Sequence, residues 1–155
     1  MKYRVTFRAT AENLAKKLHV VKTSPTRGYI TPPGYDGRSG YAGLMDARYT
    51  VEVPEEYTVM ISFEWFHLMG PRYNIIDMYQ RCEADYLKLF SSNDTGTVEQ
   101  VWVHCGFNYI AADVYNRSVT LHFRTDSRLY QSGFKLRFSL HRWPDAPRKL
   151  SLIHI

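Results

Sequence analysis

Two runs near the end of the chain alternate strictly between apolar and polar residues. In Val119–Arg124, Val119, Leu121 and Phe123 share one parity, while Thr120, His122 and Arg124 take the other. In Phe134–His141, Phe134, Leu136, Phe138 and Leu140 oppose Lys135, Arg137, Ser139 and His141. Successive side chains of a strand point to opposite faces, so each run has one dry face and one wet face. Such strands are stable when antiparallel sheets pack their dry faces on a shared core.

The rest of the chain supplies more strands of this kind. Tyr49, Val51 and Val53 alternate with Thr50 and Glu52, and Pro54-Glu55-Glu56 reads as a turn. Thr58–Leu68 is a long, largely apolar strand on which Val59, Ile61, Phe63 and Trp65 are expected to share one face, and Gly70-Pro71 ends it. Leu87 and Leu89 mark a short strand, and Val98–His104 sets Val101 and Val103 against Trp102. Many short strands with little helical period predict an all-β fold, an antiparallel two-sheet β-sandwich. At 155 residues the chain is of single-domain size, and its 12 tyrosines suit strands.

Three segments do not follow this pattern. In the N-terminal flank, residues 1–23, Tyr3, Val5 and Phe7 alternate as in a strand, whereas Ala9–Leu18 has helical composition; a poorly ordered flank is an equally good reading. Ser24–Asp46 is rich in Pro, Gly and Tyr and reads as a long loop anchored by Ile30, Tyr35 and Tyr41. The domain is expected over 24–142, with a tail over 143–155. The closing Leu150–Ile155 resembles translated sequencing adapter and is given no functional weight.

Several function classes find no support. The net charge is +5, but the bases are scattered without a run of four, so no nucleic-acid partner is expected. No apolar run approaches the roughly 18 residues of a membrane helix, and no membrane insertion is expected. No G-x-S-x-G elbow occurs, and Cys105 and His104 are strand neighbours that point apart, so the chain is not expected to be an enzyme. The six histidines lack zinc-ligand spacing, and His122 and His141 fall on wet faces, where solvated side chains are the simpler reading.

The two cysteines permit one disulfide or two free thiols. The sequons Asn93-Asp94-Thr95 and Asn116-Arg117-Ser118 lean toward the secretory route, with Asn93 and Asn116 as glycosylation candidates. Asp77 precedes Cys82 by five residues, Asp85 follows it by three, and Asp126 lies just beyond the strand ending at Arg124. Calcium takes about six to eight hard oxygens, often from separate loops, and three carboxylates supply part of that shell. Three solvated aspartates are the plainer alternative.

Several segments in order resemble the CUB domain: Gly28–Pro32, Met45–Phe66, C-E-A-D-Y-L-K-L-F, H-C-G, N-R-S-V-T-L-H-F-R-T-D and S-G-F-K-L-R-F. The resemblance covers roughly residues 24–142. It implies a CUB-like jelly-roll sandwich, extracellular or secreted, non-catalytic and usually part of a larger ectodomain. It also implies a disulfide between Cys82 and Cys105. The first cysteine pair of typical members is missing: Ala47 stands at its second position, and Tyr49 takes the usual Trp position.

In the family's calcium-binding subset the corresponding ligands are Asp77, Asp85 and Asp126, with Asp77 standing where those members carry Glu. The function implied is binding of a partner protein's Lys or Arg at a Ca²⁺-organised edge, with Asp77 and Asp126 bridging to it, Asp85 holding the ion, and Tyr73 among the contact residues. The alternatives are a calcium-free glycan-binding module of spermadhesin type using Tyr35, Tyr41 or Tyr73, and a regulatory ectodomain of a larger protease or receptor.

Overall fold

The computed structural model describes residues 5–9, 17–33, 35, 44–68, 70, 72–73, 80–82, 84–93, 95–125 and 132–142. They form twelve strands: β1 (Val5–Ala9), β2 (His19–Ser24), β3 (Arg27–Thr31), β4 (Asp46–Val51), β5 (Tyr57–His67), β6 (Arg72–Tyr73), β7 (Gln80–Arg81), β8 (Tyr86–Ser92), β9 (Val98–His104), β10 (Asp113–Tyr115), β11 (Val119–Arg124) and β12 (Gly133–Arg142). Two five-stranded antiparallel sheets carry the fold, in the orders β1-β4-β11-β8-β9 and β10-β5-β12-β3-β2, and β6 with β7 forms a small third sheet. This is the expected all-β sandwich.

The alternating runs behave as their pattern dictates. Val119, Leu121 and Phe123 of β11 meet Phe134, Leu136, Phe138 and Leu140 of β12 across the core, all essentially buried. Phe123 and Phe134 pack edge to face across it, their centroids 5.1 Å apart. Ala47 and Tyr49, at the positions of the missing cysteine and Trp, are simply core residues of β4. At the sheet margin, Trp102 of β9 donates its indole N–H to the Tyr115 hydroxyl of β10, 3.2 Å away, joining the two layers. Burial pushes the Tyr115 phenol up to about 12, so it stays neutral.

Two expectations about the strands are corrected. Trp65 does not share the core face with Val59, Ile61 and Phe63. Lys135 pairs with Trp65 and the next residue, Leu136, pairs with Phe63, which leaves Glu64 as an extra residue, a β-bulge. Beyond it the facing reverses, so Phe66 and Leu68 are buried and Trp65 turns outward. The second correction is in the Pro/Gly-rich loop. Residues 27–31 are β3, joined to β2 by the Pro25-Thr26 turn. Ile30 is fully buried, as an anchor should be. Gly28 lets β3 approach this closely, since a Cβ there would lie 2.5 Å from the Val21 carbonyl oxygen and 2.8 Å from the Phe138 ring.

Strand pairing also reaches into the N-terminal flank. The strand reading holds for residues 5–9, where β1 pairs with β4 from Val5↔Val51 to Ala9↔Ala47. Residues 10–16, most of the stretch with helical composition, lie outside the described residues. Tyr35 sits at the opening of β12, where a Cβ on Gly133 (φ +94°) would come within 3.3 Å of its ring; Tyr41 lies outside the described residues.

Candidate functional site

The registers of the first sheet bring several strand ends together. Arg124, the last residue of β11, pairs with Tyr86 at the start of β8 and with Asp46 at the start of β4. Leu87 pairs with His104 at the end of β9. One step further, at the same tip, come Met45, Asp85, Cys105 and Thr125. Met45 N–H donates to Thr125 Oγ1 at 2.9 Å, and Thr125 N–H returns a bond to the Met45 carbonyl at 3.0 Å. This reciprocal clasp fixes the chain immediately before Asp126.

Cys82 and Cys105 are disulfide-bonded, with their Cα atoms 5.6 Å apart, so the pairing implied by the resemblance is present. Asp85 is 1% exposed in the segment between that bond and β8. A carboxylate so far from water stays ionised only with hydrogen bonds, an ion pair or a cation around it. A hard oxygen donor at a strand-end loop is the type of ligand calcium takes. Asp77 and Asp126 lie outside the described residues, as does the Tyr73 side chain. Among the described residues no three of His, Cys, Asp and Glu come together as metal ligands.

Beside the tip lies a pair that sequence pattern does not reveal. Alternation puts His122 on a wet face, yet it is 7% exposed and its Nε2 lies 2.6 Å from Asp46 Oδ1. Tyr86 closes over it edge-on at 5.6 Å, and Lys88 lies above the Tyr86 ring at 4.5 Å. Burial holds the imidazole below its usual range; Arg48 and Lys88 push the same way, while the bond to Asp46 opposes. We take His122 as neutral, its Nε2–H donating to Asp46. Parity gives the face of His122, but nothing local to it signals Asp46, which is 76 residues away.

Residues 105–108 cross from the first sheet to the second. Leu68 N–H donates to the Gly106 carbonyl, Asn108 N–H donates to the Phe66 carbonyl, and Phe107 bridges to His67. His104 stays on its own sheet, tilted against Trp102 at 4.5 Å, with burial lowering its pKa. Trp65, turned out by the bulge, lies 5.2 Å from the exposed Phe107 and donates to Ser132 Oγ at 2.7 Å.

The two sequons occupy different surroundings. Asn93 Oδ1 accepts from Thr95 N–H, Thr95 Oγ1–H and Thr97 N–H, and its Nδ2 donates to Glu99, which closes the β8–β9 turn. Asn116 is exposed in the turn between β10 and β11.

Comparison with known proteins places this architecture. The family profile of the CUB domain matches residues 20–138. Cubilin of Sus scrofa is 27% identical over 121 residues, 76% of this chain and 3% of that protein. Cubilin of Canis lupus familiaris is 27% identical over 116 residues, 72% of this chain and 3% of that protein. The chain thus spans a small fraction of these relatives. Among solved structures, the CUB2 domain of MASP-1 bound to Ca²⁺ superposes with a TM-score of 0.57 at 22% identity, covering 74% of this chain and 92% of that one. The CUB1-EGF-CUB2 segment of human MASP-1/3 gives 0.56 at 19% identity, over 76% of this chain and 42% of that one. With a family match across most of its length and the sandwich and second disulfide in place, this chain belongs to the CUB domain family.

Proposed function

We propose that the chain is an extracellular, non-catalytic interaction module, one unit of a larger ectodomain, that binds a partner protein's Lys or Arg at a calcium-organised edge. The observation that carries the reading is Asp85, a carboxylate 1% exposed at the tip beside the disulfide. The similar CUB2 domain of MASP-1 is bound to Ca²⁺, which agrees with it. Asp77, Asp85 and Asp126 would hold the ion, which supplies fixed positive charge among the acids. Asp85 anchors it from within the fold, while Asp77 and Asp126 keep an outward oxygen for an ammonium or guanidinium, with Tyr73 alongside.

The test is calorimetric calcium titration of the oxidised protein together with melting curves in calcium and in EDTA. Binding at about 10⁻⁴–10⁻³ M suits an extracellular module. Calcium should raise the melting temperature, and Asp126→Ala should remove both that rise and partner binding. A melting temperature indifferent to EDTA and to the substitution would overturn the reading.

A further inference from the structure

The second sheet ends in an open edge. β2 pairs with β3 on one side, and among the described residues no strand covers its other side. The outward N–H and C=O groups of an edge strand are a template for one more strand. From His19 to Lys22 the register with β3 is unbroken, and the irregularity comes only between Lys22 and Ser24. The usable edge is therefore a regular one.

The registers also say what an added strand would meet on each of its faces. Val20 pairs with the fully buried Ile30 and packs against the core, so the inner face beside the edge is apolar. Val21 pairs with Tyr29, and Tyr29 pairs with Arg137, which sets this parity on the outer face. There a groove of about 310 Å³ has Thr23 of β2, Arg27 of β3 and Arg137 of β12 in its lining.

The charges on that outer face do not cancel. Three bases, Arg27, Lys135 and Arg137, stand with one acid, Glu64. Glu64 is shared by Arg137 Nε and by Lys135 Nζ at 3.3 Å, and those contacts, Arg137 first, keep its carboxyl ionised. Two positive charges are left over. Arg27 is exposed, and the Arg137 side chain is 48% exposed. The edge strand itself reads His-Val-Val-Lys-Thr-Ser, without an acid. A second copy set edge to edge would bring these bases together, whereas a strand of opposite charge complements them.

From this we infer that β2 takes up an extended segment of a partner protein in which acidic and apolar residues alternate. Its backbone continues the second sheet, and its apolar side chains extend the dry face beside Val20. Its carboxylates lie on the outer face and reach over Thr23, a short side chain, toward Arg27, with Arg137 beyond. This contact needs no calcium.

The test is titration of the whole chain with a capped octapeptide that alternates Glu and Val. It should bind equally in calcium and in EDTA, which separates this edge from the calcium-organised tip. Replacing its Glu by Gln should weaken binding at least tenfold, and Arg27→Ala, at an exposed residue, should weaken the Glu peptide about tenfold. N-methylating either all the Glu amides or all the Val amides should abolish binding in at least one of the two cases, because one set of N–H groups faces β2. The inference is overturned by no binding of the Glu peptide, by equal binding of its Gln counterpart, by unchanged affinity in Arg27→Ala, by binding that survives both methylations, or by loss in EDTA. Self-association of the chain that excludes the peptide, or preference of this face for a singly sulfated disaccharide, overturns it as well.

Discussion

On the outer face of the first sheet, His122 is 7% exposed and donates to Asp46 beneath the edge of Tyr86. On the outer face of the second, Arg137 and Glu64 meet in the open, their side chains 48% and 40% exposed. His122 and Arg137 stand on the polar parity of their strands, and Glu64 is the extra residue of the β5 bulge. In the first set a neighbouring aromatic covers the imidazole while Asp46 stays 43% exposed, and in the second both side chains reach into solvent. Alternation decides which way a side chain points. It leaves undecided how dry the outward side becomes.

Substitutions can test this contrast, starting where the tip is crosslinked. Replacing Cys105 by Ser frees a loop of 23 residues and should cost about 3 kcal/mol in denaturant melts. A smaller effect is expected at the covered histidine, where His122→Ala should cost about 2 kcal/mol through the lost hydrogen bond and packing. The open pair should give the least: Glu64→Gln should change stability by no more than about 1 kcal/mol, as exposed ion pairs do. Equal losses at His122 and Glu64 would erase the distinction between the two faces.

Acid should be felt on both sheets. His122, His104 and His141 all have folded-state pKa values held low, chiefly by burial. Below the ordinary histidine range the unfolded chain binds more protons than the folded one. Their contribution is therefore full above that range and is lost as pH falls through it. Melting temperatures should drop between about pH 8 and about pH 5, and His122→Gln should flatten that slope.

These contrasts also explain what could be read from the sequence. β4, β11 and β12 were legible because their alternation is unbroken, and the Cys82–Cys105 bond and family were legible from the order of short motifs. The facing of Trp65 was not, because a bulge is an event of pairing: Glu64 becomes an extra residue only against Lys135 and Leu136. β3 was hidden by the Pro and Gly around it, although Gly28 is there because the Val21 carbonyl and the Phe138 ring leave no room for a side chain. The Asp46–His122 pair depends on the β4–β11 register, which no local pattern reports. Of the acids, Asp85 is found at the tip, and Asp77 and Asp126 fall outside the described residues.

The bulge in β5 has one more result. By reversing the strand it places an indole on the outside, against Phe107 and tethered to Ser132, just beside the crossover that follows Cys105. The chain thus carries its own optical gauge at this end of the sandwich. Any shift of residues 105–108 alters the ring that shields Trp65, and its emission colour should follow without an added label.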